Sequence, residues 1–282
     1  MDVTDAMTPR EELVTVSLPG SRDAALEHLR KREFSSVAVV KEENGDEAFR
    51  GLISREALIE NPDEDQLALL VEEGPTTSSD ASLESLAELM IDTGARRVPV
   101  VNGGGLNGIV TITDVIGAIA EGAADGERSV SELATRSVNG IYSGSPLRVA
   151  EQELRYADTP YAVVIDDEAD PVGILTDADL IAVAEIVEGE DDTGGAMAGD
   201  DDEWMWEGIK TVGNRYYPTR NVEFPDGTVA DYMSDDLITV SRTQTARDAA
   251  QLMVRHDIEQ IPLMSGGELL GIVQDMDLLH AV

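Results

Sequence analysis

Short apolar runs alternate with polar turns and amphipathic segments along the whole chain, and one such pattern occurs four times. In each copy a glycine begins a short apolar strand, and a polar residue then leads into a predicted helix. The copies lie at residues 51–57, 108–114, 173–179 and 271–277. A pattern that recurs at intervals of this size indicates repeated structural units.

The residues around each copy predict strand, helix, strand, turn, strand and helix. Residues 37–40 are apolar without alternation, which is typical of a buried strand. Asn102 and Gly103 stand between two apolar runs and predict a hairpin turn. A single unit of about 55 residues would bury only a marginal core. We therefore expect an α+β fold in which units pair, pack sheet against sheet and cover the sheets with helices. The first helices are predicted near residues 21–32, 83–90, 146–156 and 245–255.

The repeats divide the chain into four units and one insertion. We expect repeat 1 at 1–62, repeat 2 at 63–124, repeat 3 at 125–187, the insertion at 188–228 and repeat 4 at 229–282.

The insertion has two parts of different composition. Residues 188–203 include eight acidic and no basic residues, which is typical of a flexible, self-repelling linker. The spacing of these acids does not match a calcium-binding loop. An aromatic stretch follows, which predicts either a strap packed on the repeats or an element that docks a partner or covers a ligand. Its members are Trp204, Trp206, Tyr216, Tyr217 and Phe224.

The charge of the chain is strongly unbalanced, with 57 acidic against 20 basic residues and a formal net charge of −37. Disorder does not explain this composition, because the repeats are rich in aliphatic residues. An acidic, hydrated surface suits molar salt, where the Debye length is only about 3 Å. We therefore expect a halophilic archaeal cytosol. The same charge argues against a nucleic acid or an anionic membrane as partner.

Several classes of function find no support in the sequence. There is no cysteine, and His28, His256 and His280 lie far apart without metal-ligand spacing, so we expect no metal site. No phosphate-binding loop and no nucleophile elbow is present. No apolar stretch approaches the ~20 residues of a membrane span, and the N-terminus does not resemble a signal peptide. We expect a cytoplasmic, non-catalytic protein that acts on a partner in trans.

The Thr-x-x-Asp motif at 111–114 and 176–179 has two interpretations. It predicts a capping box, in which the threonine and the aspartate satisfy backbone amides at the start of a helix. The same geometry suits a nucleotide, because a helix N-terminus attracts phosphate and a carboxylate accepts bonds from ribose hydroxyls. The residues alone leave both interpretations open.

Three motifs together resemble proteins built from CBS domains: Asp-x-Met-Thr at 5–8, the Pro-Val strand at 99–100 and Gly-Ile-Val-Thr-x-x-Asp at 108–114. The resemblance covers the chain outside roughly 186–228. It implies four β-α-β-β-α repeats paired into two tandem modules. The chain also resembles archaeal relatives of the gamma subunit of AMP-activated protein kinase, which implies a closed pseudo-symmetric disc. The implied ligands are AMP, ADP or ATP, with or without magnesium, bound in clefts between repeats.

What the resemblance implies for individual residues differs among the repeats. The aspartate would hold ribose, the Ser or Thr would contact phosphate, and Arg97 matches an arginine that contacts phosphate. The alternative for Arg97 is a surface charge near acids. The implied ligand-binding residues are Thr111, Asp114 and Arg97 in repeat 2, Thr176 and Asp179 in repeat 3, and Asp277 in repeat 4, with Thr77, Ser143 and Thr239 along the adenine slots.

We therefore expect competent sites in repeats 2 and 3, a third candidate in repeat 4 and a weak or empty repeat 1. Repeat 4 has Gln274 in place of the threonine, and repeat 1 has Ala57 in place of the aspartate.

The leading hypothesis is a regulatory module that binds adenine nucleotides and signals to a protein partner that the sequence does not identify. One alternative is an interaction scaffold without a physiological ligand. Another is a sensor of S-adenosylmethionine or NAD, which share adenosine with the nucleotides. The protein would be a monomer with a four-repeat disc, or a homodimer.

Overall fold

The computed structural model describes residues 1–29, 36–43, 45–54, 57–58, 61, 64–183, 185–188, 209–212, 215–218 and 220–282. Repeats 1, 3 and 4 each have a three-stranded sheet with the second strand in the centre. In each of them the first strand runs parallel to the central strand. In repeat 2 the first strand is reduced to a parallel bridge between Thr77 and Val100. The predicted α+β class is confirmed.

The helices and strands lie close to their predicted positions. Repeat 1 contains strands Thr15–Leu18, Ser36–Glu43 and Asp46–Ser54 and helix Arg22–Leu29, and residues 30–32 of the predicted helix lie outside the described residues. Repeat 2 contains helices Leu83–Thr93 and Ile112–Glu121 and strands Arg97–Asn102 and Gly105–Thr111. Repeat 3 contains strands Gly140–Tyr142, Tyr161–Ile165 and Pro171–Thr176 and helices Leu147–Ala157 and Asp177–Val183. Repeat 4 contains strands Val240–Ser241, Gln260–Ser265 and Glu268–Gln274, helices Ala246–His256 and Asp275–Leu278, and the 3-10 turn Leu279–Ala281.

Local sequence explains where these elements begin and end. Ser82 starts helix Leu83–Thr93 by accepting a hydrogen bond from the Ser85 amide. That helix runs three residues past the predicted end, because Gly94, with φ of 69°, is the residue that takes the left-handed conformation. The central strand of repeat 1 is buried throughout 37–40, as its continuous apolar run predicts.

Every repeat begins with a short arm that docks on its neighbour in the pair. The arms are residues 3–8, 67–72, 130–135 and 229–234. Three of them contain a one-turn helix, at Val3–Ala6, Val130–Leu133 and Val229–Tyr232, and the arm of repeat 2 contains the 3-10 turn Leu67–Leu69. The first arm continues into the strand Thr8–Pro9 and the 3-10 turn Arg10–Glu12. The first residue of each arm is a fully buried Val or Leu. Its amide donates to a carbonyl just before the first helix of the other repeat, at Ala81, Gly20, Gln244 and Ser145 respectively.

The end of each arm forms a β-bridge with the third strand of the same neighbour. The bridges are Thr8 to Ile109, Glu72 to Leu52, Thr135 to Ile272, and Ser234 to Ile174. Repeats 1 and 2 therefore exchange arms, and repeats 3 and 4 do the same. For repeats 1 and 2, which lie in one compact unit, this exchange confirms the predicted pairing.

The exchanged arms explain two of the sequence motifs. A methyl group on Gly108 would lie 2.5 Å from the Thr8 carbonyl oxygen and 2.8 Å from the Met7 sulfur. A methyl group on Gly173 would meet Ser234 and Met233 in the same way. The recurrent glycine is thus the place where the arm crosses the third strand. The Asp-x-Met-[Ser/Thr] motif, at 5–8 and again at 231–234, is the part of the arm that crosses it.

The described residues form two compact units. The first contains residues 1–135, 239–264 and 271–282, and the second contains residues 136–238 and 265–270. The first unit thus holds repeats 1 and 2, most of repeat 4 and the arm of repeat 3. In it, helix Ile112–Glu121 packs along helix Ala246–His256. The second unit holds most of repeat 3 with the arm of repeat 4, around a core that includes Ile141, Leu147 and Leu175.

The insertion forms small antiparallel pairs. Strand Glu185–Glu188 pairs with strand Arg220–Glu223, and strand Ile209–Val212 pairs with strand Arg215–Pro218. Phe224 packs against the core of repeat 3, in agreement with the strap interpretation. The acidic residues 189–203, together with Trp204 and Trp206, lie outside the described residues.

The described residues contain no helix long and apolar enough to cross a membrane. They also contain no cluster of three or more His, Asp or Glu side chains that could hold a metal ion.

Candidate functional site

The second strand of each repeat begins beside the end of the third strand, where the second helix starts. At this corner of repeat 2, Arg97 lies directly opposite Thr111. The corresponding pairs are Ser36 with Ser54 in repeat 1 and Tyr161 with Thr176 in repeat 3.

A backbone hydrogen bond locates the same corner in repeat 4. The Ile112 amide donates to the Arg96 carbonyl at 2.8 Å, and the Asp275 amide donates to the Glu259 carbonyl at 2.9 Å. Glu259 therefore corresponds to Arg96, and the next residue, Gln260, corresponds to Arg97. The corner has the same backbone in these repeats, but its side chains differ.

The capping box is present in repeats 2 and 3. Asp114 Oδ2 accepts from the Thr111 amide at 2.7 Å and from the Thr111 hydroxyl at 2.8 Å. Asp179 Oδ2 accepts from the Thr176 amide at 2.8 Å and from its hydroxyl at 2.7 Å. The structural interpretation of the Thr-x-x-Asp motif is confirmed.

Capping uses only one oxygen of each carboxylate. Oδ1 of Asp114 and Oδ1 of Asp179 accept no hydrogen bond from any residue that the structure describes. One oxygen can hold the helix while the other accepts from a ribose hydroxyl, so the two interpretations of the motif are compatible. The Thr111 hydroxyl donates to Asp114, and the first amide of the helix donates to the Arg96 carbonyl. A phosphate at this corner therefore needs another donor.

Arg97 can be that donor. Its side chain is half-buried, and its Nη1 donates to Ser36 Oγ of repeat 1 at 2.9 Å. Across the described part of the chain it forms no ion pair with a carboxylate. Burial lowers the pKa of the Arg97 guanidinium, and the positive charge of Arg96 lowers it further. An anion placed here would relieve both effects.

The preceding arginine, Arg96, is already paired. It forms two hydrogen bonds with Asp275, at 2.5 and 3.2 Å, and an ion pair with Glu259 at 3.0 Å. Burial lowers the pKa of Arg96, but the hydrogen bonds and charges of these two carboxylates outweigh it and raise that pKa overall. Of the two adjacent arginines, only Arg97 remains available to a ligand.

Among the described residues, the corners of the other repeats have no arginine in the position of Arg97. In repeat 3 the position of Arg97 is taken by the buried Tyr161. In repeat 4, Asp277 Oδ2 accepts from the Gln274 amide at 2.8 Å, without the hydroxyl that supports Asp114. Burial raises the pKa of Asp277. In repeat 1 the Ser54 hydroxyl accepts from the amide of Ala57, which stands in place of the aspartate.

The candidate adenine-slot residues do not occupy equivalent positions. Thr77 pairs with Val100, and the matching positions in repeats 1, 3 and 4 hold Val16, Ile141 and Val240. Ser143 lies two residues after this position, whereas Thr239 and Thr15 lie one residue before it. A shift of one residue turns a side chain to the opposite face of a strand.

The counterpart of Thr15 and Thr239 in repeat 2 is therefore Thr76, which the sequence reasoning missed. Thr76 is found when the first strand of each repeat is aligned by the residues that it pairs with on the second strand.

Four segments of the chain, 3–64, 71–121, 130–185 and 229–282, match the CBS domain family. The chain belongs to this family, whose domains commonly bind adenine nucleotides as regulatory modules.

The chain is similar along nearly its whole length to several archaeal proteins. The chain is 27% identical to an uncharacterised protein of Methanocaldococcus jannaschii, MJ1404, over 99% of this chain and 61% of that protein. It thus spans about three fifths of the length of this curated relative. A crystal structure of an uncharacterised conserved protein from Pyrococcus horikoshii is 25% identical, with a TM-score of 0.68 and 99% of both chains covered.

A second structure, MJ1225 from M. jannaschii, is described as a proposed archaeal homologue of g-AMPK. It has 19% identity, a TM-score of 0.62 and 99% of both chains covered. At this identity the likeness shows the fold alone.

Proposed function

We propose that the chain is a non-catalytic regulatory module that binds an adenine nucleotide at the repeat 2 corner and signals to a protein partner in trans. The acidic composition supports a high-salt archaeal cytosol as its setting. The observation that carries the proposal is Arg97. In a chain of net charge −37, this half-buried arginine has no carboxylate partner among the described residues. A buried charge without a counter-charge is costly, and a bound anion supplies one.

The neighbours of Arg97 favour a nucleotide over a simple anion. Arg97 and Thr111 are directly opposite each other on adjacent antiparallel strands. Their Cβ atoms are therefore about 5 Å apart on the same face of the sheet. Asp114 stands one helical turn beyond Thr111 with one oxygen open. A ribose 5-phosphate carries vicinal hydroxyls at one end and phosphate at the other, and therefore suits a carboxylate and a guanidinium together.

This arrangement also ranks the alternative ligands. S-adenosylmethionine has no phosphate and would leave Arg97 without a counter-charge. NAD carries phosphates and competes more strongly with the mononucleotides. The corners around Asp179 and Asp277 have a ribose acceptor but no described arginine in the position of Arg97, and we expect them to bind nucleotides less tightly than repeat 2.

Titration calorimetry with AMP, ADP and ATP, in molar KCl at fixed free magnesium, tests the proposal. We expect Asp114→Asn to remove one binding event, because it halves the acceptor capacity of the carboxylate and removes its charge. The matched control is Asp248→Asn. Asp248 forms the same capping box with Thr245, with bonds of 2.9, 3.2 and 3.3 Å, but at the first helix of repeat 4.

The control variant should bind as the wild type does. Equal losses in both variants would mean that capping, not ligand contact, explains the effect. Full binding by Asp114→Asn would contradict the assignment of the site. A folded wild-type protein that binds none of the nucleotides would overturn the proposal and favour the scaffold hypothesis.

A further inference from the structure

The two adjacent arginines of repeat 2 differ in what holds them. Among the described residues, the Arg97 guanidinium has one hydrogen-bond partner, the Ser36 hydroxyl of repeat 1 at 2.9 Å. Arg96 is held from two directions by repeat 4, through both oxygens of Asp275 and one oxygen of Glu259. The Asp275 side chain is only 9% exposed, so its pair with Arg96 is shielded from water on the carboxylate side. A shielded, two-bond pair of this kind resists opening more than a surface pair does.

The two arginines are consecutive residues at the same corner, where the Arg96 carbonyl accepts from the first amide of the helix that Asp114 caps. An anion held by Arg97 at this corner therefore lies beside Arg96, and the charge of Arg96 also lowers the pKa of Arg97. A ligand with one phosphate can bind through Arg97 alone. A chain of three phosphates extends beyond one guanidinium and needs further positive charge.

The environment beyond Arg97 does not supply that charge as it stands. The described groups of repeat 4 that contact Arg96 are the carboxylates of Asp275 and Glu259. Arg96 is the cation at this point, and it is committed to both carboxylates. A triphosphate would have to break the Arg96 pair and leave Asp275 buried without its partner.

We propose that the Arg96–Asp275 ion pair sets the phosphate specificity of the repeat 2 site, so that the site prefers AMP to ATP while the pair is closed. The inference rests on the proposed function, since it concerns the same site. Arg96 acts as a specificity-determining residue. While Asp275 and Glu259 of repeat 4 hold its guanidinium, it does not bind the ligand.

The test compares the affinities of AMP and ATP for the full chain, by calorimetry in the presence of a chelator so that free nucleotides are measured. In the wild type we expect AMP to bind more tightly. Asp275→Asn releases Arg96, and one new charge-assisted hydrogen bond should then raise ATP affinity relative to AMP about tenfold or more. Glu259→Gln removes the more exposed partner and should act in the same direction with a smaller effect.

Two further variants separate this inference from simpler explanations. Glu127→Gln breaks the ion pair between Glu127 and Arg247, elsewhere in the same unit, and should leave the AMP to ATP ratio unchanged. The double variant Arg96→Gln with Asp275→Asn should lose the gain in ATP affinity. A gain that persists would show that removal of a negative charge is sufficient, and would overturn the role of Arg96.

The outcomes also distinguish this inference from the proposed function. If both nucleotides bind the wild type, and Asp275→Asn and Glu259→Gln each have the wild-type ratio of AMP to ATP affinity, the specificity inference is wrong. The proposed nucleotide site then stands. If neither nucleotide binds folded wild-type protein, the proposed function is wrong and the inference fails with it.

Discussion

The crossing of an exchanged arm over a recurrent glycine predicts the effect of a single methyl group. In Gly108→Ala, the new Cβ would lie 2.5 Å from the Thr8 carbonyl oxygen, about 0.9 Å closer than the 3.4 Å at which ordinary contact begins. The oxygen cannot easily move away, because Thr8 is paired with Ile109 in the same sheet. The backbone of Gly108 needs no unusual conformation, so the clash alone is tested.

The expected loss of stability can be bounded from two sides. Overpacking of a filled site typically costs about 1–3 kcal/mol. Release of the arm instead would expose Val3, which is fully buried, and the loss of that burial costs about 1.5–3 kcal/mol. We therefore expect Gly108→Ala to lower the free energy of unfolding by about 2–3 kcal/mol.

The assay is urea unfolding in molar KCl, with amide hydrogen exchange at Val3 and Met7 as a local measure of arm docking. Gly117→Ala is the matched control. Gly117 lies within helix Ile112–Glu121, and a methyl group there meets nothing within 4 Å. That variant should gain about 0.5–1 kcal/mol from higher helix propensity. Wild-type stability and unchanged arm exchange in Gly108→Ala would refute the account of the arms.

Two further predictions concern charge. Burial raises the pKa of Asp277 above the ordinary carboxylate value of 3.8, so the folded state holds its proton more tightly than the unfolded state. The resulting stability is fully present below about pH 4 and is lost as the pH rises through the folded pKa. In urea unfolding, the free energy of unfolding of Asp277→Asn should thus rise relative to that of the wild type as the pH increases from 4 to 7. A difference between the two proteins that stays constant across that range would contradict the burial argument. The net charge of −37 predicts that the melting temperature rises with KCl, because the Debye length falls from about 10 Å at 0.1 M to about 3 Å at 1 M. Equal melting temperatures at both concentrations would show that surface repulsion does not limit stability.

Local patterns made most of the fold predictable. The four copies of the glycine-led strand, the hairpin turns and the capping boxes each depend on residues close together in the chain. The arms were visible only as a motif, Asp-x-Met-[Ser/Thr]. Their docking on a different repeat depends on contacts such as Thr8 with Ile109, which no local pattern specifies.

The candidate site was predictable only in part, for the same reason. The motif that selected Arg97 could not tell how its neighbour Arg96 is used, because Asp275 lies 179 residues away in the sequence. Likewise, the threonines of the first strands could be chosen by type but not placed in register. The roles of Asp114, Asp179 and the other residues as ligand contacts stay predictions until binding is measured.

The most direct test of the central claim is a calorimetric titration of AMP into the full chain and into its Arg97→Gln variant, both shown to be folded in molar KCl. We expect saturable binding by the wild type and the loss of one binding event in the variant. Identical binding by the two proteins, or no binding by either, would contradict a phosphate site at Arg97.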